Sequence, residues 1–154
     1  MKFYTSYFYK IRFMKPHQIP FSTAVWNPKF FSRGGKPFFD KNGVINGLRA
    51  MPLVPGPLCN NDCRGLEQCA TKNPANCNFL KHYRQQLDQL NFNFVTNRCE
   101  EIANAIKNDI GFEEEPEIIL LVYETPKNPC SERCVIQEWF KDNGINCEEW
   151  NNDD

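Results

Sequence analysis

EIILLVYETPKNPCSERCVIQEWFKDNGINCEEW, residues 117–150, is the stretch that decides the fold class. It begins with the continuous apolar run EIILLVYE at 117–124, which has the length and composition of a central strand covered on both faces. The Asn-Pro pair at 128–129 predicts an N-cap and a first helical residue, and Gly144 predicts a C-cap, so we expect a helix over 129–143. INCEEW then supplies a second strand. A strand, a helix and a strand in this order form a right-handed βαβ unit, which predicts an α/β domain with a mostly parallel sheet.

The upstream sequence supplies further strands and helices. Residues 2–8 and 19–26 are rich in aromatic and β-branched side chains and predict strands. Apolar residues at helical spacing predict helices over 79–90 and 95–110. Residues 27–57 contain so many prolines and glycines that we expect an extended loop layer there.

Length and composition indicate one folded unit outside the membrane. The chain has 154 residues, which is typical of a single domain, 1–154, with a core large enough to be stable. No apolar run approaches the roughly 20 residues that span a bilayer. The first residues, MKFYTSYFYKIRF, alternate polar and aromatic side chains and lack the apolar core of a signal peptide, so we expect a cytoplasmic protein. The sequence leaves the oligomeric state open.

Basic residues are concentrated in the amino-terminal part of the chain. In total, 18 Lys and Arg stand against 19 Asp and Glu, and the net charge of −1 gives no general attraction for polyanions. The first 50 residues, however, carry nine basic side chains and one acidic side chain, Asp40. Aromatic side chains are interleaved with the basic ones there, a composition that can stack bases and pair with phosphates. Nucleotide or nucleic acid is therefore a candidate partner; the alternative is a solvated basic surface whose aromatic residues belong to the core.

PLCNNDCRGLEQCATKNPANC, at 57–77, places four cysteines close together. In a reducing cytosol, clustered cysteines more often bind a metal than form disulfides. We therefore expect a metal site within a Cys-rich loop at 52–78, with reduced packing cysteines and disulfides as the alternatives. The four expected ligands, spaced Cys-x3-Cys-x5-Cys-x7-Cys, are Cys59, Cys63, Cys69 and Cys77.

The metal is predicted to be zinc or an iron–sulfur cluster, because four thiolates suit both. Zinc sites commonly use a Cys-x2-Cys pair, which this stretch lacks, whereas longer and irregular gaps suit a 4Fe-4S cluster. The spacing therefore favours the cluster, and the greater abundance of zinc sites favours Zn²⁺. Either would fix the loop 52–78 to the helix that follows it. A loop that closes over a substrate and a cluster that senses redox state are the alternative roles.

A second candidate site lies where the strand and the helix predicted within 117–143 meet. Ligands of parallel α/β sheets bind beyond the carboxyl ends of the strands, where Glu124 and Thr125 lie. Cys130 and Ser131 follow at the predicted helix start, where the helix dipole and backbone N–H groups stabilise a thiolate or a bound phosphate. We expect Glu124 and Cys130 to be catalytic, with Glu124 a general base or a ribose ligand. The alternative is that Glu124 caps the helix and Cys130 packs.

Several motifs in this chain resemble the domain of unknown function 488 family. LLVYETPKNPCSERCVIQEW at 120–139 is similar to its carboxy-terminal signature, and YTSYF at 4–8 and IPFSTAVWNPKFF at 19–31 are similar to its first two strands. GLRAMPLVPGP at 47–57 resembles its middle loop, and FLKHYRQQLDQL at 79–90 resembles its Tyr-containing helix. The resemblance covers most of the chain and implies a three-layer, Rossmann-like α/β domain.

The chain departs from that family in two places. The family's Cys-His-Arg triplet matches Cys130, Ser131 and Glu132, so the cysteine is kept and the His and Arg are missing, unless Arg133 supplies the guanidinium from the next position. Arg133 is therefore a candidate ligand-binding residue, together with Thr125 and Ser131. The four-cysteine loop is not part of the family pattern.

These observations lead to one functional hypothesis and one alternative. The hypothesis is a small intracellular protein with a four-cysteine metal site that acts on a nucleotide or a nucleic-acid base through an anion site at the strand–helix junction. The alternative is a non-catalytic, metal-stabilised binding or interaction module. The sequence carries no Ser-His-Asp set, P-loop or HExxH motif, the usual signatures of hydrolases and NTPases.

Overall fold

The described part of the chain is an α/β fold with a four-stranded sheet and a two-stranded ribbon. The computed structural model describes residues 1–60 and 72–152. No helix in these ranges is both long enough and apolar enough to cross a bilayer. In chain order the strands and α-helices are β1 (Lys2–Tyr7), β2 (Gln18–Ser22), β3 (Phe38–Phe39), β4 (Ile45–Asn46), α1 (Pro57–Asn60), α2 (Asn78–Asp88), α3 (Phe92–Ile110), β5 (Glu117–Val122), α4 (Arg133–Asp142) and β6 (Cys147–Glu149).

The four-stranded sheet is entirely parallel and has the order β2-β5-β1-β6. This confirms the predicted α/β class with a mostly parallel sheet. β5 lies in the interior of the sheet, as its continuous apolar sequence predicts. The chain passes from β5 through α4 to β6, and β1 lies between these two strands. The βαβ unit therefore spans one intervening strand.

The side chains of β5 alternate between two apolar clusters on the two faces of the sheet. Ile118, Leu120 and Val122 join a cluster to which α2, α3 and α4 contribute their buried faces. Ile119 and Leu121 join the other cluster. The other members of this second cluster come from a 3-10 turn and from loops: Phe8, Ile11, Met14, Ala24, Phe31, Val44 and Trp150. In the described residues, all three longer α-helices therefore lie on one face of the sheet, and the layer on the opposite face is irregular.

Helix boundaries differ most from prediction at α4. The predicted start at residue 129 is wrong, because the helix begins at Arg133. Asn128 is not the N-cap of α4; its side chain accepts a hydrogen bond from the Cys130 backbone N–H at 2.9 Å within a turn that precedes the helix. Gly144 adopts the left-handed conformation, φ 83°, that the predicted C-cap requires.

Candidate functional site

The carboxyl ends of the parallel strands meet at one edge of the sheet. β5 ends at Val122, so Glu124 and Thr125 follow it at this edge. Ser131 Oγ donates a hydrogen bond to Glu124 Oε2 at 3.1 Å. Arg133 Nη2 donates to the Glu124 backbone carbonyl at 3.0 Å. The structure therefore brings together three of the predicted site residues, Glu124, Ser131 and Arg133.

Arg133 is the buried cation of this group and is only 7% exposed. Its Nε donates to Glu149 Oε1 at 2.6 Å, and Thr5 Oγ1 donates to the same oxygen at 2.8 Å. Its Nη1 is buried and has no hydrogen-bond partner among the residues that the structure describes. The Nη1 amino group, with its two N–H donors, is thus unused by the described residues. We call Glu124, Ser131, Glu132, Arg133 and Glu149 the edge cluster.

Glu132 also belongs to the edge cluster, although no sequence pattern marks it as a site residue. Its side chain is only 5% exposed, and its carboxyl group lies close enough to that of Glu124 for the two to interact electrostatically. Burial, followed by the negative charge of Glu124, raises the pKa of Glu132 to about 8. Burial therefore favours the protonated form of Glu132. The nearby Tyr83 of α2 is fully buried, and its pKa is raised by burial and then by Glu132.

Cys130 lies in the turn before α4 rather than within the helix. The expected position at the second residue of the helix is therefore wrong, and the argument from the helix dipole does not reach this thiol. Its side chain is half-buried, and its catalytic role stays a prediction. Cys134, one helical turn further on, donates its thiol to the Ser131 carbonyl at 3.1 Å.

An aromatic cavity of about 490 Å³ adjoins the edge cluster. We call it the tyrosine cleft; it is lined by Tyr7, Phe8, Tyr9, Pro28, Tyr123 and Thr125. The Arg133 guanidinium carbon lies 6.0 Å from the centre of the Tyr7 ring, which connects the cleft to the polar side chains. Thr125, a predicted ligand-binding residue, thus faces an aromatic cavity.

No family model, curated protein or solved structure was found to match the chain. The resemblance to the domain of unknown function 488 family therefore stays a prediction. What the edge cluster and the tyrosine cleft can do is argued below from their own chemistry.

The predicted metal site lies partly outside the described residues. Cys63 and Cys69 fall in the stretch 61–71, which the structure does not describe. Cys59 of α1 is buried, and its Sγ lies 3.8 Å from Gln86 Oε1; Cys77, half-buried, directly precedes α2. Among the described residues, no group of three or more His, Cys, Asp or Glu is arranged to hold a metal ion. The four-cysteine site therefore stays a prediction.

The first part of the Cys-rich loop is held by α2 through hydrogen bonds. Gln86 Oε1 accepts from the Gly56 backbone N–H at 2.8 Å, and Gln86 Nε2 donates to the Val54 carbonyl at 2.8 Å. Tyr83 Oη donates to the Leu53 carbonyl. Residues 53–56 thus have protein anchors that the sequence analysis did not foresee.

Proposed function

We propose that the edge cluster and the tyrosine cleft bind a nucleotide or a nucleic-acid base and act on it by proton transfer. The carrying observation is the unused Nη1 donor of Arg133, which is buried next to an aromatic cavity at the ligand edge of a parallel sheet. A buried N–H group without a partner is rare in folded proteins and calls for an explanation. An oxygen atom of a bound ligand supplies one.

The chemistry of the two surfaces fits a base and its ribose. Tyrosine rings stack on planar bases, and base stacking is worth about 1–3 kcal/mol. The carboxylates of Glu124 and Glu149 outnumber the single cation, Arg133, so the edge cluster favours ligand N–H and O–H donors over a bare phosphate. Amino groups of a base and hydroxyl groups of a ribose are such donors.

The two neighbouring carboxyl groups supply a means of proton transfer. Glu132 carries the proton, and Glu124, its partner, lies closer to the cleft through Thr125. The proton passes from the Glu132 carboxyl group to the neighbouring Glu124 carboxylate and from Glu124 to the ligand, and the reverse transfer restores it. Neighbouring carboxyl groups commonly serve as general acid and base.

Binding is tested by titrating nucleoside 5′-monophosphates into the isotope-labelled protein and following backbone amide signals by NMR. We expect shifts at Tyr7, Tyr123 and Thr125. Tyr123→Ala should weaken binding about tenfold, which corresponds to about 1.4 kcal/mol of lost stacking. Phe94→Ala, on an equally exposed ring of α3, is the matched control and should leave binding unchanged. Saturating nucleotide that moves none of these signals would contradict the proposal.

The variant Glu124→Gln distinguishes an enzyme from a non-catalytic binding module. In an enzyme, this change abolishes product formation from the bound nucleotide while the folded state and binding persist. Product formation is followed by chromatography of the nucleotide after incubation with the protein. A module forms no product with either sequence, and its affinity changes only through the lost carboxylate.

We propose further that Cys59, Cys63, Cys69 and Cys77 hold a 4Fe-4S cluster or Zn²⁺. The support is the four-thiol donor set and the packing of α1, which carries Cys59, against α2, which Cys77 precedes. Elemental analysis and the absorption spectrum of anaerobically purified protein test the proposal. We expect stoichiometric metal that Cys63→Ser removes and that the control Cys134→Ser retains. Protein without either metal would refute it.

A further inference from the structure

A second cavity, of about 640 Å³, lies between the 3-10 turn Phe8–Phe13 and the segment 30–46. We call it the basic groove. Three aromatic rings on its walls are about half exposed: Tyr9 at 50%, Phe30 at 49% and Phe39 at 48%. Large apolar rings left in water at one site mark an interaction surface.

The groove carries a net positive charge. Arg12, Arg33 and Lys41 line it, and none of the three forms an ion pair with a described carboxylate. The one acidic residue of the groove, Asp40, is engaged within its own turn, where its Oδ1 accepts from the Asn42 N–H at 2.8 Å. Three cations therefore remain for an anionic ligand.

Two of the three cations lie over aromatic rings. The Arg12 guanidinium carbon lies 3.7 Å from the centre of the Tyr9 ring, and that of Arg33 lies 5.0 Å from the centre of the Phe38 ring. Both guanidinium groups are within the distance at which a cation is attracted to the face of an aromatic ring. A planar cation beside an exposed ring is the combination that binds both a base and its phosphate.

The basic groove and the tyrosine cleft adjoin each other. Phe8 and Tyr9 line both cavities. A ligand that places one unit in the tyrosine cleft can therefore continue past Tyr9 into the groove. Its next units would meet exposed rings and unpaired cations.

We propose that this continuous surface binds single-stranded nucleic acid, with one base in the tyrosine cleft and the neighbouring nucleotides along the basic groove. This inference rests on the proposed function and names its ligand class, an oligonucleotide rather than a mononucleotide. The strand must have unpaired bases, because the bases of a duplex are stacked on each other and cannot stack on the rings of Phe30 or Phe39. Repeated phosphates match the three cations.

The test compares a mononucleotide with a decamer. Binding of thymidine 5′-monophosphate, decathymidylate and decauridylate is measured by the same NMR titration and by fluorescence anisotropy at several salt concentrations. We expect a decamer to bind at least tenfold more tightly than the mononucleotide. Since each neutralised phosphate of a single strand contributes about −0.7 to the salt slope, three contacts predict a slope of about −2.

Two variants separate charge from stacking. The double change Arg33→Gln and Lys41→Gln should lower decamer affinity and reduce the slope to about −0.7, while leaving mononucleotide binding unchanged. Phe39→Ala should weaken the decamer alone. Lys81→Gln and Phe94→Ala, on α2 and α3, are the matched controls and should have no effect.

Three outcomes would overturn the inference, and they differ in what they leave standing. Equal affinity for mononucleotide and decamer would end this inference and keep the proposed function. A second outcome is that Phe39→Ala does not weaken decamer binding and that heparin, added at the same concentration of negative charge as the decamer, displaces it. The groove would then be a general polyanion surface. Absence of binding by either ligand would overturn the proposed function as well.

Discussion

At the scale of single residues, Glu132 is the side chain whose properties depend most on its surroundings. Its sequence neighbours mark it as part of a polar turn, yet the folded chain removes it from water and places it against another carboxyl group. The charged form of a buried carboxyl group is disfavoured by lost hydration and by a second negative charge. Neither cause is local, because Glu124 and the α2 helix reach Glu132 only through the fold.

Glu132→Gln should therefore change how stability depends on pH. In the folded protein the pKa of Glu132 is about 8, against an ordinary value of 4.5. The folded state binds more protons than the unfolded state between these values, so the stabilising contribution is complete below pH 4.5 and is lost as the pH rises toward 8. Glutamine has nearly the same size and cannot ionise. The variant should lack this decline, which amounts to at most about 1.4 kcal/mol per pH unit.

The measurement is urea unfolding of both proteins at intervals from pH 4.5 to 8. The difference in unfolding free energy should grow with pH in favour of the variant. Glu101→Gln, an exposed carboxylate of α3, is the control and should run parallel to the wild type. If the unfolding free energies of the wild type and Glu132→Gln also change in parallel with pH, the buried carboxyl group is already ionised at neutral pH. The proposed proton transfer then loses its donor.

At the scale of elements, α2 has two roles, one in the core and one in holding the loop before it. Leu80, Tyr83 and Leu87 form its buried face, as the helical spacing predicts. Gln86 lies beside that face and satisfies backbone groups of residues 52–56 that no strand or helix pairs. A side-chain amide offers two donors and an acceptor, so it can replace a strand partner for a short loop.

Gln86→Ala should destabilise the protein by about 2 kcal/mol, because backbone groups that are partly buried lose their partners. The amide of Gly56 should at the same time exchange faster with solvent. Urea unfolding and hydrogen exchange measure the two effects, and Gln85→Ala, its exposed neighbour on α2, is the control. Unchanged exchange at Gly56 in the variant, together with faster exchange after metal removal, would assign the anchoring to the metal instead.

At the scale of the whole molecule, a structural feature can be predicted from the sequence when its physical cause lies in neighbouring residues of the chain. The sequence predicts β5 from its apolar run and β1 from its aromatic and β-branched residues, which are properties of the strands themselves, and it predicts α3 from the local spacing of apolar residues. The start of α4 was predicted four residues too early, since Asn128 and Pro129 suit a turn as well as a helix. The strand order and the cavities arise from distant contacts that no local pattern encodes.

The two faces of the sheet share one strand, and this affects how they unfold. Successive side chains of β5 enter the helical cluster and the loop cluster in turn, so one strand belongs to both cores. Phe31 fills the loop cluster and is completely buried. Phe31→Ala should leave a cavity there and destabilise the protein by about 4 kcal/mol. Because the interior strand is shared, the helical face should lose the same stability.

Hydrogen exchange under native conditions distinguishes shared from separate unfolding. In Phe31→Ala, the exchange free energies of the Leu120 amide in β5 and the Ala103 amide in α3 should both fall. Each decrease should equal the decrease in unfolding free energy that urea unfolding measures. Phe39→Ala removes an equal ring from an exposed position and should cost little. If the α3 amides kept their protection while those near Val44 lost it, the irregular layer would unfold alone. The basic groove would then belong to a unit less stable than the sheet that carries the edge cluster.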